Sequence, residues 1–417
     1  MSACIAETCI RKDPRVNPRR RIRGTHPRNP YKGTVPISDF LVAVVGISVV
    51  MSGMRRARWL AGWRNSTMKP VIYHCISRVV ERRFAFGGTD KEKFRTFMRM
   101  YESFSGCRVL SYCLMCNHIH LLLEVPPMPE GGLSDEELLC RLRALCNEVL
   151  VAEVAKELAE ARAKVRDGLA GVDKVAEIHG RVTYRMHDLG EFMKGLMGRF
   201  TQWFNRNHVR TGNLWEDRFK SVIVEDGVAA KTMAAYIDLN PVRAGMVRDP
   251  AEYRWSSYGE AIGGGAKGNG KKARAGLVRA LRAHQGVEAD AAFWKDEVAP
   301  EYRKILMAGA VETTREDVAR GGRRTIKTTR KGNTAVETER GKVNTGEIPI
   351  GKILGCRVRY FTDGAVIGSR NFVNEAFASA RDRFGQKRKD GARRMRGAAA
   401  SESGALWSLR DLKKGIE

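Results

Sequence analysis

Two histidines stand one residue apart in Cys113-Leu114-Met115-Cys116-Asn117-His118-Ile119-His120-Leu121-Leu122-Leu123-Glu124, inside an otherwise apolar run. Alternate side chains of a β-strand share a face, so His118 and His120 would point the same way, with ring nitrogens close enough to hold one ion. An imidazole pair suits Mn²⁺ or Zn²⁺ better than Mg²⁺, and a third, oxygen ligand shifts that preference. The alternative is a pair of hydrogen-bonded histidines at a sheet edge. Further along, Tyr236 and Asn240 are four apart in the stretch GVAAKTMAAYIDLNPVRAGMV, hence on one face of a helix. There Asn240 would give its carbonyl oxygen to the ion, and Tyr236 would attack a phosphorus whose non-bridging oxygen the ion polarises. Taken alone, Tyr236 reads as a half-buried aromatic, and Asn240 before Pro241 as a helix-ending residue.

These residues need elements to hold them. PVIYHCISRVV, from Pro70, alternates apolar and polar residues as a strand does. DKEKFRTFMRMYESFSG opens on Asp90 as N-cap, repeats Phe94, Phe97, Met98, Tyr101 and Phe104 at helical spacing, and stops at Gly106. CRVLSYCLMC and HIHLLLEV are two β-like runs separated by polar Asn117, which predicts adjacent strands or a sharp bend. Strand, helix, strand, strand is the first half of a ferredoxin-like sandwich. The fold class expected is therefore α+β: an antiparallel sheet with packed helices, a helical insertion, and a separate C-terminal helical basic module.

Residues 134–187 carry the insertion, read as a hairpin of helices that opens with the capping pair Ser134 and Glu137. A helix over Asp188–Asn207 presents Phe192, Leu196, Phe200 and Trp203 to a core, and leaves Lys194, Arg199 and Arg206 for phosphate. GNLWEDRFKSVIVED reads as a turn and a strand. Within it Trp215, Arg218 and Lys220 mix an aromatic with cations, the combination that stacks unpaired bases and tracks phosphates. Trp215 reads as readily as core. Arg243, just past the helix of Tyr236, could hold phosphate near the reaction centre.

Totals narrow the classes. The chain has 417 residues, enough for two or three domains, and a formal charge of +27 with 74 Lys and Arg against 47 Asp and Glu. Such an excess favours polyanionic partners, above all nucleic acid. Nine cysteines, an odd number thinly spread, fit reduced thiols in a cytoplasm better than a disulfide framework. The apolar run Phe40–Met54 is shorter than the roughly 20 residues a bilayer needs, so no membrane segment is expected. Residues 1–66 read as a disordered basic N-terminal arm, and Met51, Met54 and Met68 allow a later translational start. Residues 67–263 form the main domain, 264–346 a linker and helical segment, and 347–417 a C-terminal basic module suited to accessory DNA binding.

NHIHLLLEV, FTQWFNRNHVRTGNLWEDRFKSVIVED and AYIDLNPVRAGMVRDPAEYRWSSY, in that order, resemble the HUH tyrosine transposases, and most closely the REP-associated tyrosine transposases of bacteria. The resemblance covers roughly residues 69–263. It implies cleavage and rejoining of single-stranded DNA on a ferredoxin-like fold with a divalent metal, Mg²⁺ or Mn²⁺. His118 and His120 match the metal-binding histidines, Tyr236 the nucleophile and Asn240 the third, polar ligand. It further implies a 5′-phosphotyrosine link, a released 3′-hydroxyl and hairpin-forming repeats as targets. Two features depart from the family: Cys116 stands where Pro is usual, and the link from Pro126 to about Asp188 is long. A zinc site on Cys113, Cys116, His118 and His120 is the rival for the histidines, and would require a loop in place of the strand. Two other functions stay open: a domesticated protein that binds folded single strands without cutting them, and a replication-initiation or relaxase nickase, against which the Tyr-Ile-x-x-Asn-Pro-Val segment argues. Whether the protein is a monomer or a homodimer is undecided.

Overall fold

β1 (Val71–Arg78) is followed by α1 (Gly88–Ser105), β2 (Arg108–Leu114) and β3 (His118–Val125). The computed structural model describes residues 69–168, 172–264, 269–282, 291–312, 359–381, 384, 388–395 and 405–410. The expected N-terminal arm, the apolar run Phe40–Met54 and the alternative starts lie outside them. In α1 the apolar positions recur as expected, and Phe94, Phe97, Met98 and Phe104 are buried. Gly106 ends it at φ 73°, a left-handed conformation that glycine adopts without steric penalty. The helix starts earlier than expected: Gly87 is the N-cap, and Asp90 in the first turn accepts the Gly87 N–H at 2.8 Å.

The insertion holds three helices rather than a hairpin: α2 (Asp135–Leu142), α3 (Glu148–Arg166) and α4 (Val172–Thr183). The extra break comes where Asn147 caps α3 by accepting the Leu150 N–H. Leu138, Leu142, Val151, Leu158 and Ile178 form a small core of their own. Chain order then resumes with α5 (Leu189–Asn207), capped by Asp188, and β4 (Lys220–Val224).

β2, β3, β1 and β4 lie side by side in that order, each antiparallel to its neighbour. This is the ferredoxin-like arrangement expected from the motif order. Pleating divides the strand residues between two faces. Tyr73, Cys75, Ile119, Leu121, Leu123 and Ile223 pack with α1 and α5. Ile72, Leu122, Val222 and Val224 face the opposite way, and His74, His118 and His120 share their face by alternation.

That second face is covered by α6 (Val228–Asp238), which is buried on every side from Ala229 to Asp238. Its alanines let it sit close to the sheet, and such an all-round apolar helix belongs inside a core. α7 (Asn240–Arg243), α8 (Ser257–Gly263), α9 (Asn269–Arg282) and α10 (Val298–Glu312) follow. The boundary expected after residue 263 is bridged: Leu277, Val278 and Leu281 of α9 and Tyr302 of α10 join the core of α6. Arg279 also reaches the buried Glu124 of β3 at 2.6 Å.

α11 (Arg359–Thr362), β5 (Val366–Gly368), α12 (Arg370–Ser379), β6 (Arg393–Arg394) and β7 (Trp407–Leu409) complete the described chain. The C-terminal module is joined to the sheet rather than set apart from it. β5 lies parallel to β4, pairing Val366 with Ile223, and β7 and β6 extend the sheet to seven strands. Strands of two or three residues are too short to register by periodicity. β5 forms where the open edge of β4 supplies unpaired backbone groups, and β7 and then β6 add to it in turn.

Candidate catalytic centre

His118 and His120 leave β3 on the face that α6 covers, and Tyr236 meets His120 there. The ring centroids of His118 and His120 are 4.9 Å apart, and those of His120 and Tyr236 are 6.0 Å apart. His120 and Tyr236 are buried, whereas His118 is half-buried. The four-residue spacing of Tyr236 and Asn240 spans the end of α6: the Asn240 Nδ2 donates to the Tyr236 and Ile237 carbonyls at 3.0 and 3.2 Å. The amide therefore closes the helix end, and its oxygen is the atom a hard cation would take.

A third histidine, unremarked in the sequence reading, completes the cluster. His74 of β1 is fully buried, donates from Nδ1 to the Phe361 carbonyl at 2.9 Å, and lies 3.0 Å by its Nε2 from His120 Nδ1. Its signal in the sequence was a polar residue at an inward position of VIYHCIS. Phe361 had no signal: it arrives from α11 and stacks on Tyr236 at 4.3 Å with a 16° interplanar angle. On the Tyr236 ring also sits the Arg243 guanidinium, 4.6 Å from the centroid. So Tyr236, 1% exposed, is closed in by Phe361, Arg243 and the imidazoles.

Burial sets the charge state of the cluster. Desolvation lowers His74 to about 4 despite its bond to Phe361. Desolvation, with a smaller push from Arg78, lowers His118 to about 4. His120 is driven well below its usual value by burial first and then by its histidine and arginine neighbours. All three rings are neutral at neutral pH, the form that binds metal.

Among the described residues, no group of three or more His, Cys, Asp or Glu side chains is placed to hold a metal ion. The candidate set differs in kind, being two imidazoles and an amide. Each imidazole has its Nδ1 engaged, His118 with Asn117 Oδ1 at 2.6 Å and His120 with His74, which leaves Nε2 as the ligating atom. The residues fit a divalent cation in that respect. The cysteines are occupied elsewhere: Cys113 Sγ lies 3.6 Å from Met115 Sδ, and the Lys91 ammonium donates to Cys116 Sγ at 3.4 Å.

The proposed DNA-contacting residues are spread more widely. Trp215 is half-buried against Phe86, Phe94 and Phe200, and its indole N–H donates to Thr201 Oγ1 at 2.9 Å. Arg218 and Lys220 are exposed, with Lys220 3.3 Å from Asp363.

Asp238, two residues beyond Tyr236, fastens α6 in place. It accepts the Tyr302 hydroxyl at 2.6 Å and the Tyr258 N–H at 2.9 Å, with no exposure to solvent. Burial pushes its carboxyl up to about 7, although the hydrogen bonds pull the other way. Because the folded value exceeds the unfolded one, this group's contribution to stability falls as pH rises from about 4 to about 7 and is level above that. The loss is on the order of 4 kcal/mol at most. In Asp238→Asn, urea midpoints measured from pH 4.5 to 8 should show a flatter profile than wild type. An unchanged profile would remove Asp238 from this role.

Residues 67–130 match a family model described as "Transposase IS200 like". This span holds β1 to β3 and all three clustered histidines, and over it the transposase resemblance read from the motifs is borne out. Among solved structures, the chain is similar to one described as "Structure of the REP associates tyrosine transposase bound to a REP hairpin". The identity is 13%, the match covers 52% of this chain and 90% of that one, and the TM-score is 0.28. No curated protein matches the chain.

Proposed function

We propose that this protein is a DNA transposase that cleaves and rejoins single-stranded DNA through Tyr236. The reading is carried by one observation above all: the strand pair His118 and His120 and the helix residue Tyr236, distant in sequence, meet in a single cluster. The IS200-like match over residues 67–130 supports it. In the step proposed, the Tyr236 oxygen forms a bond to phosphorus, its proton passes to water, and the bond from phosphorus to the 3′-oxygen breaks, the departing oxygen taking a proton from water. The products are a 5′-phosphotyrosine and a 3′-hydroxyl, and attack by a 3′-hydroxyl on the phosphotyrosine rejoins a strand. His118, His120 and Asn240 would hold Mg²⁺ or Mn²⁺, which when bound supplies positive charge to the scissile phosphate. Arg243 stands over the Tyr236 ring, where its positive charge would attract an incoming phosphate.

The hairpin as target comes from the motif resemblance. A cytoplasmic setting fits nine cysteines, an odd number thinly spread through the sequence. No helix among the described residues is long and apolar enough to cross a membrane. A non-cleaving DNA-binding protein is the alternative, and the presence of Tyr236 beside His120 speaks against it. The deciding experiment incubates the full chain with end-labelled, hairpin-containing single strands and Mn²⁺ or Mg²⁺, then runs a denaturing gel. A covalent adduct that needs the metal is expected. Tight binding with no adduct in either metal would establish the non-cleaving alternative.

Phosphate contacts from the exposed Arg218 and Lys220 make a second expectation. Each contact to a single strand contributes about 0.7 to the slope of log affinity against log salt. The Arg218→Ala, Lys220→Ala double variant should lower that slope by about 1.4 and weaken binding alike for all sequences. Fluorescence anisotropy between low and moderate salt reads this directly. An unchanged slope would place the DNA path elsewhere.

A further inference from the structure

Behind the histidine pair runs a buried line of polar groups from the C-terminal segment to β3. The Phe361 carbonyl oxygen can only accept, so the hydrogen of its 2.9 Å bond sits on His74 Nδ1. A neutral His74 then carries its lone pair on Nε2. The hydrogen of the next bond, 3.0 Å long, must belong to His120 Nδ1, and the His120 lone pair is left on Nε2. His118 reaches the same state by a separate route. Asn117 donates its Nδ2 to the Arg82 carbonyl at 3.1 Å, so the atom 2.6 Å from His118 Nδ1 is its accepting oxygen.

Nothing about packing requires a histidine at position 74. The site is fully buried in the middle of β1, where an apolar residue would fill the space without two ring nitrogens to satisfy. His74 and His120 also lie nearly parallel, with centroids 5.2 Å apart and planes 13° apart, which keeps the second bond aligned.

We propose that His74 is a positioning residue, through which the Phe361 backbone selects the His120 tautomer that leaves Nε2 open to a divalent cation. The inference rests on the metal-holding role given to His120 above. It makes the C-terminal segment part of the catalytic centre: residue 361 sets the state of residue 120 without touching it.

Two variants separate this role from simple packing. His74→Phe keeps a ring of similar shape and removes both bonds. His74→Gln keeps an acceptor for His120 and a donor for Phe361. In the full chain labelled with ¹⁵N-histidine and free of metal, long-range ¹H–¹⁵N spectra identify which nitrogen of each ring carries hydrogen. The wild type and His74→Gln should show His120 with hydrogen on Nδ1, and His74→Phe should show a mixture. Mn²⁺ affinity, read by electron paramagnetic resonance, should fall about 10- to 100-fold in His74→Phe and by only a few-fold in His74→Gln.

Hydrogen on His120 Nε2 in the wild type would overturn the proposal. So would equal Mn²⁺ affinity in wild type and His74→Phe when His120→Ala binds weakly. If the wild type takes up no Mn²⁺, the metal reading fails by itself, and the spectra still decide the tautomer. Should His74→Phe not fold, the wild-type and His74→Gln spectra remain decisive.

Discussion

Tyr236→Phe is expected to abolish the covalent adduct between protein and DNA while leaving the fold in place. The substitution removes the oxygen proposed to attack and nothing else. Loss of a nucleophile ordinarily costs several orders of magnitude, so adduct yield should drop by on the order of 10⁴ or more. The ring would keep its stack on Phe361 and its place under Arg243, because both contacts are made to the aromatic face. Stability should therefore change by no more than about 1.5 kcal/mol, the net worth of one hydrogen bond. A denaturing gel and a thermal melt on the same preparations test both halves. Undiminished adduct in Tyr236→Phe would transfer the nucleophilic role to another residue; a collapse of the melt would make the activity result uninformative, and a chemical rescue would then be needed.

Phe361→Ala is the second large expectation. Phe361 is fully buried, stacks on Tyr236 and belongs to the core that α6 shares with the sheet. Truncating such a ring leaves a cavity and removes its aromatic contact, a loss of about 3–5 kcal/mol. The carbonyl that His74 uses is backbone and survives the change, so the loss reports packing. Urea denaturation gives the figure. A shift below about 1 kcal/mol would mean that α11 is only loosely docked, and would weaken the argument that the C-terminal segment completes the centre.

These two residues show how unevenly the molecule could be read. Tyr236 drew attention because Asn240 follows four residues on and Pro241 after it, a spacing with chemical meaning. Phe361 did not, since one phenylalanine in a short helix looks like any other. His118 and His120 advertised themselves by alternation inside an apolar strand. His74 satisfied the same alternation and passed as punctuation, because a single polar residue in a strand has many ordinary explanations. Trp215 read as readily as core as it did as a stacking platform, and packing puts its indole in the aromatic cluster around Phe200, while Arg218 is exposed.

The boundary after residue 263 illustrates a different limit. A run of glycine and lysine has the composition of a linker, and Asn269–Arg282 nevertheless forms a helix against the sheet. Its apolar stripe of Leu277, Val278 and Leu281 found a partner surface in α6, which no local window contains.

By itself, the amino-acid sequence determined the elements and the order in which they follow, including β1, α1, β2, β3, α5 and β4 and the faces on which His118, His120 and Tyr236 stand. Periods of two and 3.6 are properties of neighbouring residues, so they survive in any local reading. Only the tertiary structure decided that β4 would take up β5, that Phe361 would close over Tyr236, and that His74 would meet both His120 and a carbonyl 287 residues away. Those contacts depend on strand register and on which apolar surfaces remain uncovered, quantities that exist only once the whole chain has packed.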